Sequence, residues 1–410
     1  MPMKAKIIRF RKNKLQLFLV GICSFLWNSC VEPFEPTVDY FEDILVIDAL
    51  ITNQNKQHEI TLSRSFRFEE KQAKPEINAA VKITDSNGNT YIFNETNEGK
   101  YVSEQSFAAI PNLEYQLFIT TENGRAYTSS KMKVPVASTI ENLHAERTTN
   151  SDGIEGMDIL LDSYDPNGES RLYRYEYEET WKIIAPYWTP YDAVVQIEGQ
   201  DTFTLNVILR EQEERVCYGT VFSKNIISKS TLGLSEDRIN NFTVRFIERD
   251  NYILTYRYSI LVKQFVVSPE TFSYYDVLKK LSQSETNAFS ENQPGFLPSN
   301  IFSVDDPNEN IAGYFEVSSV DEKRIFFNYE DFFNGEEPPP YYEAWSITAP
   351  STNGALGKRP LLIFLYDNAL RYYGPNFTQE FGTGPFEMVS PYCGDCTTLG
   401  SNIVPDFWTE

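Results

Sequence analysis

The chain has 410 residues, a formal net charge of −22, 41% hydrophobic residues and 14% aromatic residues. This apolar and aromatic content excludes an intrinsically disordered chain and is enough for the cores of two or three ordinary domains. Nucleic-acid binding requires Lys and Arg to neutralise phosphates, so the strong negative charge argues against that class of protein. The chain has only two histidines, which makes the commonest general base and metal ligand scarce.

The N-terminal stretch has the pattern of a secretory signal. Six basic residues and no acidic residue occur in the first 14 positions, before an apolar run from Leu15 to Trp27. This run is too short to span a bilayer as a helix, which takes roughly 20 residues. A basic start, a short apolar core and small or polar residues after it are typical of a signal peptide. We therefore predict a signal peptide over residues 1–29.

The apolar run ends at Asn28-Ser29-Cys30, which resembles a bacterial lipobox. In a lipobox a small residue precedes a cysteine that is acylated and becomes the new first residue. We therefore expect acyl chains on Cys30 to hold the chain in the outer membrane. Ordinary signal cleavage and an uncleaved anchor are the alternatives, because Trp27 stands where the usual lipobox has an aliphatic residue.

Residues 30–37 carry two prolines and two acidic residues. Proline fixes the backbone angle φ and removes a hydrogen-bond donor, so this segment is predicted to be an extended tether. Its acidic residues resemble the export signals of surface lipoproteins. We therefore expect the protein to face the cell exterior, with the periplasmic side as the alternative.

Residues 38–136 are predicted to form an immunoglobulin-like β-sandwich. Short segments such as Glu59–Ser63 alternate polar and apolar residues, which is the pattern of strands with one buried face. Turn sequences such as Asn87-Gly88 and Asn123-Gly124 separate these segments. Several short strands at this spacing are typical of a sandwich.

Residues 137–410 are predicted to form a larger β-rich domain. Leu172–Tyr177 alternates aromatic and charged residues, as a half-buried strand does. The segment Tyr252–Val267 is long, β-branched and aromatic, which predicts one long central strand. The apolar segment Leu361–Tyr366 predicts a buried strand.

This second domain should contain one main helix, over about residues 268–286. Ser268 is an N-cap residue, and Pro269 follows at the first helical position. Apolar residues then recur at helical spacing on one face. The fold class is therefore mostly β, with the N-terminal sandwich followed by this larger domain.

Three further stretches carry a family resemblance. They are Leu261-Val262-Lys263-Gln264 with Ser268-Pro269-Glu270 and Leu278; Pro298-Ser299-Asn300-Ile301 followed by Gly313-Tyr314-Phe315; and Cys393-Gly394-Asp395-Cys396 followed by Gly400-Ser401-Asn402, Pro405 and Phe407-Trp408. Together with the lipobox and the sandwich, they resemble the Bacteroidota outer-membrane lipoprotein family catalogued as domain of unknown function 4249. The resemblance implies a surface lipoprotein encoded near TonB-dependent outer-membrane receptors, and it carries over no catalytic residue.

Cys217, Cys393 and Cys396 follow Cys30 in the chain. Disulfides are expected in an oxidising compartment, and three cysteines leave one unpaired. The close pair Cys393–Cys396 is the simplest choice, and a bond from Cys217 to either partner is the alternative. A redox pair would require a helix directly after the motif, and a zinc site would require four ligands, so these remain less favoured readings.

Two proline-containing aromatic loops are candidate partner contacts. They contain Tyr187, Trp188 and Tyr191 in the first loop, and Tyr341 and Tyr342 in the second. Aromatic residues are enriched at interaction hot spots. Packing of these rings on the protein's own core is the alternative.

The sequence contains no motif for catalysis, for a cofactor or for a metal site, so none is predicted. We expect a non-enzymatic surface lipoprotein that is an accessory partner of a TonB-dependent receptor or a related outer-membrane complex. An independent glycan-binding or adhesion lipoprotein is the alternative. A hydrolase is a third, less favoured reading, because a catalytic carboxylate pair is invisible in a sequence with 58 acidic residues.

Overall fold

The computed structural model describes residues 43–66, 70, 72–198, 203–284, 297, 299–340, 347–353 and 359–410. The predicted signal peptide, Cys30 and the tether lie outside the described residues. The described part is mostly β, which confirms the predicted fold class. Its α-helices are α1 (Pro269–Ser284), α2 (Pro360–Tyr366) and α3 (Pro391–Gly394).

The strands of the described part fall into a large sheet and three small ones. They are β1 (Leu45–Thr52), β2 (Glu59–Arg64), β3 (Lys74–Pro75), β4 (Ala80–Asp85), β5 (Thr90–Asn97), β6 (Lys100–Ser103), β7 (Glu114–Thr120), β8 (Ala126–Ser129), β9 (Met132–Lys133), β10 (Thr139–Thr149), β11 (Glu155–Asp165), β12 (Leu172–Ile184), β13 (Tyr191–Ile197), β14 (Phe203–Leu209), β15 (Val216–Phe222), β16 (Ile227–Ser230), β17 (Asp237–Glu248), β18 (Arg257–Val266), β19 (Ile301–Ser303), β20 (Ile311–Asn328), β21 (Arg371–Pro375) and β22 (Phe386–Val389).

The N-terminal strands form a sandwich-like body around a first hydrophobic core. Strands β1, β2, β6, β5, β4, β7 and β8 are hydrogen-bonded neighbours in that order. In β1 the side chains of Leu45, Ile47, Ala49 and Ile51 are buried in this core. Successive side chains of a strand point to opposite faces, so Asp48 lies on the other face of β1.

Strand β20 joins the N-terminal strands to a second set. Its residues 311–318 pair in parallel with β1, and its residues 319–328 pair antiparallel with β18. The strand belongs to the predicted second domain, and its first half extends the sheet of the predicted first domain. Gly313 makes the parallel pairing possible, because its φ is +104° and an added Cβ would lie 1.8 Å from the carbonyl oxygen of Ile47.

A second hydrophobic core lies between two sheets. One is the three-stranded sheet β10–β11–β17, and the other contains β15, β12, β18 and the second half of β20. Met157 and Ile159 enter this core from β11, and Tyr258 and Val262 enter it from β18. A smaller cluster packs the hairpin β13–β14 against α2 and the hairpin β21–β22.

Helix α1 confirms the predicted main helix. The hydroxyl of Ser268 accepts a hydrogen bond of 3.2 Å from the backbone N–H of Thr271, and Pro269 is the first helical residue. A side-chain acceptor at this place satisfies one of the N–H groups that an α-helix leaves unpaired at its start. None of the helices in the described part has the length and apolarity needed to cross a membrane.

Two predicted strands differ from the structure: the first prediction was wrong in part, and the second was wrong entirely. The long strand expected over Tyr252–Val267 begins at Arg257, because Tyr252–Leu254 forms a 3-10 turn capped by the side chain of Asn251. The segment Leu361–Tyr366 is not a buried strand but belongs to α2, and within it Leu361 is the buried side chain. Pro360 at the start of α2 has the φ of a first helical turn, and a short apolar run does not distinguish helix from strand.

Candidate functional site

The tail is joined to strand β15 by a disulfide. Cys217 and Cys396 are bonded, with Cα atoms 5.6 Å apart, although 179 residues separate them in sequence. This confirms the predicted tail disulfide, in the alternative form that starts from Cys217. The simpler pair Cys393–Cys396 does not form, and Cys393 is a buried free thiol whose pKa is raised by burial. In the described residues no group of His, Cys, Asp and Glu is arranged to hold a metal ion.

The first aromatic loop is divided between the protein interior and the surface. Trp188 packs against the second core, and the ring of Tyr187 meets that of Tyr373 edge-on at 5.2 Å. Tyr191, the first residue of β13, is exposed. Tyr341 and Tyr342 lie outside the described residues. Of the three described rings, Tyr191 therefore has the most surface free for another molecule.

Tyr191 begins a hairpin with one fully apolar face, which we call the apolar hairpin face. Paired residues of an antiparallel hairpin share a face, and every second pair shares the same face. The pairs on this face are Tyr191–Leu209, Ala193–Val207, Val195–Leu205 and Ile197–Phe203. The middle of the face, at Ala193 and Leu205, packs against α2 and β21–β22. The ends are open, with Ile197 71% and Leu209 66% exposed.

A cavity of about 600 Å³ lies between β1, β12, β20 and helix α1. We call it the seam cavity and define it by Asp48, Arg174, Glu176, Tyr274, Tyr275 and Glu316. Asp48 and Glu316 come from the outer faces of β1 and β20. In the parallel ladder Asp48 pairs with Tyr314, so Asp48, Tyr314 and Glu316 lie on the same face. That face carries the polar wall of the cavity, while the opposite face enters the first core.

One wall of the seam cavity is a buried ion pair. Nη2 of Arg174 donates to both carboxylate oxygens of Glu316, at 3.1 and 3.2 Å. The hydroxyl of Tyr275 donates to the same carboxylate at 2.8 Å, and the hydroxyl of Ser318 donates at 2.6 Å. These hydrogen bonds offset the cost of removing the carboxylate from water. Glu176 forms a second ion pair with Arg174.

The ion pair also fixes the charge state of Arg174. Burial opposes the positive charge of this side chain, which is only 5% exposed, but Glu316 holds its pKa above the usual range. The guanidinium lies over the rings of Phe265 and Tyr275, at 4.2 and 4.7 Å from their centroids. Such contacts attract a cation to the face of an aromatic ring. Arg174 is therefore a permanently charged wall of the cavity.

Asp48 is the least satisfied group of the seam cavity. No ion pair or hydrogen bond joins its carboxylate to any of the described side chains. Burial among protein atoms raises the pKa of Asp48, and the nearby negative charge of Glu316 raises it further. Asp48 is nevertheless exposed to solvent in the lining of the cavity. The arrangement is a carboxylate that a small molecule can reach.

Sequence reasoning missed the seam cavity. It predicted Leu172–Tyr177 as a half-buried strand, and it singled out neither Asp48 nor Glu316 as a functional residue. A signal was present, because Asp48 interrupts the apolar segment of β1 and Glu316 interrupts that of β20. A charged residue inside an otherwise apolar strand is costly to bury unless it has partners. The partners come from distant parts of the chain, which the sequence does not show.

Comparison with known proteins gives a family and no function. Residues 31–324 match the family model described as domain of unknown function 4249. The chain belongs to this family. None of the curated proteins matches. Among solved structures, a DUF4785 family protein from Legionella pneumophila subsp. pneumophila str. Philadelphia 1 is 10% identical, with a TM-score of 0.18 over 55% of this chain and 54% of that chain.

In this member of the domain of unknown function 4249 family, the second resembling stretch has a clear structural role. The side-chain amide of Asn300 donates to the carbonyl oxygen of Phe315 at 2.9 Å, and its oxygen accepts from the N–H of Phe315 at 2.9 Å. The hydroxyl of Ser299 donates to the carbonyl oxygen of Gly313 at 2.8 Å. These side chains therefore take the place of a neighbouring strand beside β20.

The third resembling stretch holds the tail on β15. Ser401 and Tyr218 exchange two backbone hydrogen bonds, of 2.8 and 3.0 Å. An added Cβ at Gly400 would lie 2.6 Å from the carbonyl oxygen of Tyr218, so the close approach favours glycine. The ring of Trp408 meets that of Tyr218 edge-on at 4.8 Å. This stretch lies beyond residues 31–324, the part matched by the family model.

Proposed function

We propose that the protein is a non-enzymatic, lipid-anchored protein of the outer-membrane surface, and that it is an accessory partner of a TonB-dependent receptor or a related outer-membrane complex. The observation that carries this proposal is the apolar hairpin face. The apolar face of a two-stranded sheet is normally covered by other parts of the protein. Here both ends of the face are open to solvent. Exposed apolar patches on soluble domains are typical of protein contact sites.

The chemistry of the apolar hairpin face suits a protein contact. None of its eight residues is charged, so a partner can cover them without leaving an unpaired charge in a dry interface. Tyr191 adds an aromatic ring at one end, and aromatic residues are enriched at interaction hot spots. The middle of the face is held by α2 and β21–β22, so the surface is ordered before a partner arrives. Preorganisation lowers the entropic cost of binding.

The lipobox supports the membrane side of the proposal. Acyl chains on Cys30 would attach the chain to the membrane, as two lipid chains are needed for stable anchoring. Between Cys30 and Leu45, the first residue of β1, a fully extended chain spans at most about 50 Å. A protein anchored through a tether of this length stays close to the membrane surface, where the outer ends of the receptors lie.

A recovery experiment with hairpin variants tests this proposal. Ile197→Ser with Leu209→Ser should reduce recovery of the receptor from detergent-solubilised native outer membrane by about tenfold or more, the scale of one interaction hot spot. Both side chains are exposed, so the melting temperature should stay near that of the wild type.

Leu232→Ser with Leu234→Ser is the matched control, because these leucines are also exposed, 68% and 51%, but lie away from the hairpin in sequence, after β16. The control should recover the receptor as well as the wild type does. Equal recovery by the hairpin variant and the control would contradict the proposal. Recovery of glycans in place of a receptor would favour the adhesion alternative.

A further inference from the structure

Strand β14 points half of its backbone polar groups away from the strand that it pairs with. Among the described residues, β14 pairs with β13 alone. The N–H of Arg210 donates to the carbonyl oxygen of Pro190 at 2.9 Å, which marks a hydrogen-bonded pair just beyond the end of the hairpin ladder. Hydrogen-bonded and non-hydrogen-bonded pairs alternate along an antiparallel ladder. The residues of β14 whose N–H and C=O groups face outward are therefore Phe203, Leu205, Val207 and Leu209.

These outward N–H and C=O groups, which we call the β14 edge, have no hydrogen-bond partner among the described residues. Strand β13 differs in this respect. There the carboxylate of Asp192 accepts from the N–H of Ala193 at 2.9 Å, and Nε of Arg210 donates to the carbonyl oxygen of Tyr191 at 3.2 Å. Helix α2 and β21 also contact β13. The β14 edge is therefore the open side of the hairpin.

The sequence of β14 lacks the features that protect an edge strand. Exposed edges usually carry charged residues or proline, which prevent another chain from pairing with them. The outer strands of the three-stranded sheet, β10 and β17, each contain several charged residues. Strand β14 reads Phe-Thr-Leu-Asn-Val-Ile-Leu, with no charged residue, proline or glycine. Val207 and Leu209 are 42% and 66% exposed, so another strand can reach the edge.

The charges around the β14 edge indicate what kind of strand fits it. Glu198 lies beside the start of β14, where its carboxylate accepts from the hydroxyl of Thr204 at 2.8 Å. Glu211 and Glu213 follow the end of the strand, and all three glutamates are exposed. A second copy of this chain would bring the same acidic residues and a net charge of −22, so repulsion opposes self-pairing. A segment with basic residues at its ends is complementary.

We propose that the partner adds an extended segment to the β14 edge as a further strand of the hairpin. Main-chain hydrogen bonds hold the segment, and its side chains continue the two faces of the sheet. The segment therefore has apolar residues at every second position, beside the apolar hairpin face, and Lys or Arg at its ends. This inference rests on the proposed function and adds how the receptor is bound.

Two variants of Val207 separate main-chain pairing from side-chain contact. Val207→Pro keeps an apolar side chain but removes the outward N–H and places the proline ring against the added strand, while the ladder to β13 is kept. Val207→Ala keeps the N–H and loses most of the side chain. Recovery of the receptor from detergent-solubilised native outer membrane should fall by about tenfold or more in Val207→Pro, and by about threefold or less in Val207→Ala.

Hydrogen exchange of the wild type gives a second measurement that needs no variant. The protein is compared alone and in complex with the recovered receptor, with residue resolution from fragmentation in the mass spectrometer. Exchange of the outward amides of Leu205, Val207 and Leu209 should slow by about tenfold or more in the complex. The amides of Asn206 and Ile208 already bond to β13, so they should slow much less. Protection should therefore alternate along β14.

The outcomes distinguish this inference from the proposed function. If Ile197→Ser with Leu209→Ser loses the receptor, equal recovery by the two Val207 variants would overturn strand addition and leave the partner role in place. Uniform protection along β14 would do the same, even where Val207→Pro does not fold. Full recovery by both the hairpin double variant and Val207→Pro would overturn both proposals. A dimer of the purified protein that Val207→Pro dissociates would assign the edge to a second copy and overturn the inference.

Discussion

At the residue scale, His58 is a titratable group held inside the first core. Its side chain is only 2% exposed, and Nε2 donates to the carbonyl oxygen of Phe107 at 3.0 Å. The ring of Phe107 meets the imidazole edge-on at 4.7 Å. Burial lowers the pKa of His58 to about 4, so the native protein keeps this histidine neutral at physiological pH.

The depressed pKa of His58 predicts a loss of stability in acid. The unfolded chain takes up a proton near pH 6.5 and the folded protein does so only near pH 4, so the stabilisation is complete above pH 6.5 and is lost as the pH falls to 4. We expect the free energy of unfolding to fall by about 3 kcal/mol more in the wild type than in His58→Gln across this window. Urea denaturation of both proteins at several pH values measures the difference. Parallel pH profiles would show that the buried histidine does not control it.

The residues of the seam cavity mark the limit of residue-level prediction. The sequence indicated a disulfide in the tail because the compartment is oxidising and the cysteines are few. It did not indicate that Arg174 meets Glu316, because 142 residues separate them and their pairing depends on the meeting of β12 and β20 at the cavity. Spacing along a chain predicts neighbours on one strand or helix, and it carries no information on contacts between strands that are distant in sequence.

At the element scale, the tail acts as a strap across β15. The bond between Cys217 and Cys396, the backbone pairing of Ser401 with Tyr218 and the ring of Trp408 hold it in place. Closing so long a loop removes conformational freedom mainly from the unfolded chain.

This strap predicts different effects for the two cysteines of the C-x-x-C pair. Cys396→Ser should lower the free energy of unfolding by about 3–5 kcal/mol, because the closed loop spans 179 residues. Cys393→Ser is the matched control and should have a clearly smaller effect, since Cys393 is a free thiol. Denaturant unfolding measures both values, and alkylation followed by mass spectrometry should find a single free thiol among the three cysteines. Equal losses for the two variants, or three free thiols, would be inconsistent with this bond.

The helices show which elements a sequence specifies. Helix α1 was predicted because it has a capping serine, a proline at its first position and apolar residues at helical spacing over several turns. Helix α2 was missed because it spans only seven residues, too few for a helical period to appear. The 3-10 turn before β18 was missed for a related reason, because the capping role of Asn251 depends on its side chain turning back to the N–H of Ile253.

At the scale of the whole molecule, β20 pairs with β1 of the predicted first domain and with β18 of the predicted second domain. The mostly β fold class and the N-terminal alternation could be predicted from residue patterns. The parallel pairing of β1 with β20 could not, because parallel strands need a long connection, and the connection between these two runs from Thr52 to Ile311. The apolar hairpin face was likewise missed. What covers the face of a strand depends on tertiary packing, which the sequence does not show.

Site-specific photocrosslinking in living cells tests the proposed partner contact most directly. A photoreactive phenylalanine derivative in place of Ile197 should form an adduct with an outer-membrane receptor, and the same derivative in place of Leu234 should not. The adduct should disappear in Cys30→Ala, because the unanchored chain no longer stays at the membrane surface. No receptor adduct from position 197, or an equal adduct from position 234, would contradict a partner contact at the apolar hairpin face.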